Sequence, residues 1–156
     1  MCLLAGVLVF SGCIQTGVVD QQAPEKPTLE LKAELVECSY NDYKKDSKNR
    51  YAFFYKVWNN GELPTKQGAA VCLALEGRKR PQCIKLNRRY YKGQVLWNEI
   101  KWPDGRVGQE WVIPSGWTSR QDGKYRLYYT EKPNLLRYEN IVLDEGSSVG
   151  CKTAAH

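Results

Sequence analysis

From Thr28 onward the chain alternates. In TLELKAELVE, Leu29, Leu31, Ala33 and Leu35 fall on one face and Glu30, Lys32 and Glu34 on the other, the period-two pattern of a half-buried strand. RYAFFYKVW sets Tyr51, Phe53, Tyr55 and Val57 against Ala52, Phe54, Lys56 and Trp58. Its aromatic and β-branched residues suit a strand. NNGELP (59–64) is a turn cluster, and AAVCLALE (69–76) and QCIKLN (82–87) follow with GRKRP between them. QVLWNEIKW (94–102) runs into WPDG, where proline presets φ and glycine takes the position other residues avoid. VGQEWVI (107–113), KYRLYYTE (124–131) and LLRYENIVL (135–143) complete the series, the last two joined by KPN as a hairpin connection. About eight short strands at close spacing, with Gly/Pro turns and no helical period, predict an all-β domain over 28–151. A sandwich of antiparallel strands fits better than βαβ units, and the spacing leaves a barrel open.

The first residues break this pattern. CLLAGVLVF (2–10) carries no charge. Met1 to Ile14 holds about 14 apolar or small residues, short of the ~20 that a spanning helix needs. The length suits the apolar region of a secretory signal, although the basic residue expected before it is missing and the first is Lys26. An ordinary buried N-terminal element is the alternative. IQTGVVDQQAPEKP (14–27) has no period and ends in prolines, so it reads as a tether. Phe10-Ser11-Gly12-Cys13 resembles the lipobox of secreted lipoproteins, with phenylalanine where leucine is usual, and S-G-C-I-Q is similar to archaeal surface lipoproteins. The resemblance implies loss of residues 1–12, a lipid on Cys13 and a lipid-anchored linker over 13–27. The domain would then sit at the extracytoplasmic face of the cell membrane, each buried lipid CH₂ contributing about 0.8 kcal/mol.

A second resemblance lies inside the strands. Val57-Trp-Asn59-Asn-Gly61 is similar to the V-x-N-x-G of immunoglobulin-like, cell-adhesion-related surface modules. Ile113-Pro-Ser-Gly-Trp117, followed by D-G-K-Y-R-L-Y-Y, resembles their proline, glycine and tyrosine-started strand. The likeness implies an immunoglobulin-like β-sandwich, with residues 152–156 as a tail.

Of the 156 residues 42% are hydrophobic and 26% charged, which places the chain among globular rather than disordered or membrane-spanning proteins. A net charge of +6 favours anionic partners and also serves plain solubility. The six cysteines are Cys2, Cys13, Cys38, Cys72, Cys83 and Cys151, and no C-x-x-C pair occurs, so disulfides suit them better than zinc. With Cys2 lost and Cys13 acylated, four remain, and four allow three pairings. A two-residue turn at Gly77-Arg78 would set Cys72 opposite Cys83. Cys38 ends the first strand and Cys151 follows the last, and joining them would stabilise by up to about 4.7 kcal/mol on the chain-entropy model.

Catalytic chemistry is thinly represented. The single histidine is His156, the last residue, and nucleophile, phosphate-loop and zinc-protease motifs are missing. Glu99, Asp104 and Glu110 lie near tryptophans and could form a carboxylate pair for sugar hydrolysis. Glu139-Asn140 and Asp144-Glu145 lack the calcium-loop pattern. No enzyme activity, metal or cofactor is expected. Trp97, Trp102, Trp111 and Trp117 fall within 21 residues, and Trp102 and Trp117 abut turns. Exposed there, they would stack on sugar rings or anchor an interface. Arg78-Lys79-Arg80 and Arg88-Arg89-Tyr90-Tyr91-Lys92 form a basic-aromatic set that fits an acidic glycan or anionic headgroups. No nucleic-acid motif accompanies it, so nucleic acid is not an expected partner. The reading is a membrane-anchored extracytoplasmic lipoprotein that binds envelope glycan or protein. A structural envelope component or an accessory subunit of a membrane complex comes second, and a carboxylate hydrolase third.

Overall fold

The computed structural model describes residues 25–43, 48–98, 101–114, 123–135, 140–148 and 151–153. Cys13, Glu99, Trp117, Glu139 and His156 lie outside these. Among the described residues the strands are β1 (Leu31–Tyr43), β2 (Lys48–Asn59), β3 (Ala70–Leu75), β4 (Gln82–Lys85), β5 (Gln109–Pro114), β6 (Lys124–Thr130), β7 (Ile141–Ser147) and β8 (Lys152–Thr153). One sheet has the order β5-β2-β1-β8 and the other β4-β3-β6-β7. The domain is all-β, and its neighbouring strands are antiparallel except β8. That strand runs parallel to β1, pairing Lys152 with Ser39 and Thr153 with Tyr40, so the sheet reaches into the segment expected to be tail.

The inner faces follow the alternation. Phe53, Tyr55 and Val57 of β2 meet Val71, Leu73 and Leu75 of β3 and Tyr125, Leu127 and Tyr129 of β6 in one buried cluster. The Phe53 and Tyr125 rings meet edge to face across the sheets, 4.9 Å between centroids. Tyr55 Oη donates to Asp144 Oδ2 at 2.8 Å, tying β2 to β7 through the core. Burial and the Asp144 carboxylate push the Tyr55 phenol far up, so it remains a donor at physiological pH.

Three departures from the expected pattern shape the site. First, β1 carries a bulge at Val36: Leu35 pairs with Tyr55 but Glu37 pairs with Phe54. The extra residue resets the alternation. Glu37 therefore points outward and Cys38 inward. Second, residues 94–102 form no long strand among the described positions. Val95 makes a single bridge to Trp58, Leu96 N–H donates to the Val57 carbonyl at 2.8 Å, and then Trp97 takes φ +59°. A bulky residue there is a true outlier. The turn swings Trp97 into the core against Trp111, at 5.6 Å between centroids. Third, the last hairpin strand begins at Ile141 rather than Leu135. Leu135 belongs to a turn whose N–H bonds to the Lys132 carbonyl.

Two disulfides close the domain, Cys72–Cys83 within the second sheet and Cys38–Cys151 between β1 and the segment after β7. Cys72 and Cys83 are directly opposite in the register. At the other end, Asn59 is fully buried and ties two loops together. Its Nδ2 donates to the carbonyls of Leu63 (2.8 Å) and Tyr90 (3.0 Å), and its Oδ1 accepts from Gly61 N–H (2.8 Å). A Cβ on Gly61 would press into the backbone of Thr28 and Glu30, which explains asparagine followed two places later by glycine. The first described residues enter here, held by Leu63 N–H to the Thr28 carbonyl and Asn60 N–H to the Glu30 carbonyl.

Candidate binding site

The outer face of the first sheet carries the most developed surface chemistry. The register sets Glu37 of β1, Phe54 of β2 and Glu110 of β5 in one row across three strands. Phe54 faces away from the core yet is buried, because the turn at 102–106 folds over it. Trp102 meets its ring edge-on at 5.2 Å, and the Arg106 guanidinium lies over it at 4.5 Å while also facing Trp102 at 5.0 Å. Such cation–aromatic stacking is worth about 0.5–1 kcal/mol where partly exposed. Arg106 bonds Glu37 Oε1 at 3.2 Å, and its Nε sits 2.7 Å from Asp104 Oδ2, an ion-pair distance without good hydrogen-bond alignment. Gly105, at φ +89°, closes the turn as the WPDG sequence requires.

Beside this cap lies a hollow of about 580 Å³, within the range of small-ligand sites. Val36, Val95 and Val107 give it apolar walls, Phe54 lies beneath, and Lys56, Asn98 and Arg106 bring polar groups. The bulge that exposes Val36 helps to shape it. Glu110 is held above the ordinary carboxylate range by partial burial, and then by the neighbouring Glu37 charge, with Arg106 opposing. The two glutamates do not converge on a cleft. Phe54 fills the row between them under Trp102 and Arg106. Among the described residues no cluster of His, Cys, Asp and Glu could hold a metal ion. A second hollow of about 710 Å³ lies over Ala74 at the far end of the other sheet, where Arg126 and Glu145 face each other at 3.6 Å.

The sequence-expected contact residues scatter. Trp102 is half-buried and supports the cap rather than standing free. Tyr90 is a correction: it is fully buried in the core, with the Arg88 guanidinium over its ring at 4.4 Å, so it offers no surface to a ligand. Its neighbour Tyr91 is exposed. Arg78, Lys79 and Arg80 are exposed at the β3–β4 turn, and Arg88 and Arg89 are exposed beyond the opposite end of β4. Residues 82–86 of extended chain separate the two groups by roughly 13 Å or more, so they form two patches and not one. Phe54, Arg106 and Glu37 were not anticipated. A signal existed in W-P-D-G-R: a tight turn returns the arginine beside the tryptophan. Comparison with known proteins returns no matching family model, curated protein or solved structure. The functional reading therefore rests on this chain's own residues.

Proposed function

We propose that this protein is a membrane-anchored extracytoplasmic lipoprotein whose two-sheet domain is a binding module for an envelope glycan or protein. The observation that carries the binding role is the hollow between the Val36 bulge and the 102–107 turn. Apolar walls with an amine, an amide and a guanidinium at hand suit a sugar ring, whose C–H face lies on the valines while its hydroxyls or carboxylate meet Lys56 and Asn98. The address is supported by the apolar leader ending in Gly12-Cys13 and by two disulfides, which persist in oxidising compartments. An immunoglobulin-like assignment is supported by connectivity. The chain crosses between sheets after β2, β4 and β5, with β6 and β7 as a hairpin, an arrangement such sandwiches share, and it crosses once more after β7 to add β8 to the first sheet. It departs in its disulfides, neither of which joins β2 to β6.

A glycan array and pulldown with the full chain in detergent test the binding role. Lys56→Glu and Val36→Asp are expected to abolish a captured ligand, while Arg78→Ala leaves it bound. Retention by both site variants removes the hollow as the binding face. Mass spectrometry of the membrane fraction reads the acyl group at Cys13, and an unmodified Met1-initiated chain there rejects the anchor.

A further inference from the structure

One end of the sandwich differs from the rest of the surface. The chain enters the fold there, through Thr28 and Glu30 bonded to the 60–63 turn. The large hydrophobic side chains that the described residues leave exposed are Val36, Leu63, Tyr91, Leu135, Ile141 and Val142. All but Val36 belong to this end: Leu63 lies in the loop after β2, Tyr91 in the loop beyond β4, Leu135 in the β6–β7 turn, and Ile141 and Val142 open β7. Each of the five is between 41% and 54% exposed. None sits at the opposite end, where the Arg78–Arg80 turn and Cys151 lie.

This end also carries an excess of positive charge. Segments 25–32, 59–68, 85–92 and 131–135, which build this end, hold eight Lys and Arg against four Glu. Three of those acids are paired on site with lysines of the same end, Glu30 with Lys32, Glu62 with Lys92 and Glu131 with Lys66. Exposed aliphatic and tyrosyl side chains ringed by Lys and Arg match a bilayer interface. Apolar groups enter the headgroup boundary, Tyr spans it, and basic groups meet lipid phosphates.

We infer that this end of the domain seats directly on an anionic lipid surface. The inference rests on the anchored reading above. Between Cys13 and Glu25 the chain can span at most about 40 Å, so a lipid on Cys13 holds the domain close to the bilayer through this end, where the chain enters the fold. Seating would leave the flank of the first sheet, with the Val36–Val107 hollow, reachable from the side.

Hydrogen–deuterium exchange of the full chain, reconstituted in vesicles of phosphatidylcholine alone or with added phosphatidylglycerol, tests the seat. Residues 60–66, 88–93 and 131–135 are expected to exchange at least about threefold more slowly on the anionic vesicles, with 76–80 unchanged. Arg89→Glu with Lys92→Glu should abolish that protection. Arg78→Glu with Lys79→Glu, the same charge change at the far end, should keep it. Equal exchange on both vesicles overturns the seat, as does equal loss in both double variants. Protection that tracks protein density instead of lipid charge identifies a second copy of the chain as the occupant and also overturns it. Co-flotation of Cys13→Ser reports the anchor separately. A variant that no longer floats by itself but is protected on excess anionic vesicles retains the seat, and one that floats unchanged rejects the anchor alone.

Discussion

Replacing Asn59 by alanine tests how this fold is held at its loop end. Three bonds are lost, and their cost differs by what each partner retains. Gly61 N–H is buried and donates to Asn59 Oδ1 at 2.8 Å. Stranding a buried donor costs about 1–3 kcal/mol. The Tyr90 carbonyl keeps a second donor, Thr65 N–H at 3.0 Å, and the Leu63 carbonyl is only partly buried, so each adds no more than about 0.5–1 kcal/mol. The expected loss is about 2–5 kcal/mol, or about 1–2.5 M in the urea midpoint at a slope near 2 kcal/mol/M. Equilibrium urea unfolding with disulfides intact measures it. A loss below about 1 kcal/mol would refute the reasoning, because it would mean the corner resolves its polar groups without Asn59. Asn59→Asp sharpens the test. Its carboxylate would keep the Gly61 bond but face two carbonyl oxygens in a buried corner, so the fold favours the protonated acid and raises its pKa above the unfolded value. The folded state then binds more protons between the two values, and stability falls as pH rises through that window. The aspartate variant should approach the wild type near pH 3 and fall below the alanine variant at pH 7.

The disulfides should separate by loop length: removing Cys38–Cys151, of sequence separation 113, should cost about 2 kcal/mol more than removing Cys72–Cys83, of separation 11. Paired Cys→Ser variants in thermal or urea unfolding read that difference, and equal losses would point to native-state effects instead. Glu110, whose carboxyl burial raises, favours folding most when protonated, so its contribution falls as pH rises above the ordinary carboxylate value. Glu110→Gln should therefore stabilise the domain at pH 7 and gain little at pH 4, as followed by thermal melts at both values. Arg106→Ala removes the one cation that lowers Glu110, and NMR titration should find the Glu110 carboxyl shifted further up. The same variant uncovers Phe54 and should weaken any ligand held in the adjoining hollow.

Much of the sheet architecture was legible. Alternation in 28–35, 50–58 and 124–130 placed the right residues inward, and the close strand spacing predicted the opposed cysteines at 72 and 83. Alternation fails where the backbone adds or turns a residue. The bulge at Val36 cannot be seen in LELKAELVE, because valine fits either face, yet it decides where Glu37 and Cys38 point. In QVLWNEIKW, Leu96 and Trp97 reach the core through a turn at Trp97 and not through a strand. Strand β7 was displaced because an edge strand buries little: Leu143 packs on the core, Asp144 takes the Tyr55 bond, and Ile141 and Val142 stay exposed. The surface was harder to read. Turn-tip charges were visible, but their separation by β4 was not. Alternation put Phe54 on the outward face, and nothing in RYAFFYKVW shows that the 102–106 turn buries it.

The Cys38–Cys151 bond has a mechanical consequence. It makes the 113-residue separation between those cysteines a covalent ring that tension applied at the two chain ends bypasses. A pull between the N-terminal tether and the chain after β8 runs along β1, crosses one sulfur–sulfur bond and leaves. Of the described residues only 25–37 and the two of β8 can pay out before the load reaches that bond, by no more than about 3.5 Å apiece. Strands β2 to β7 stay slack, so a module on a moving surface could be tugged by its ends while the hollow beside Phe54 keeps most of its walls.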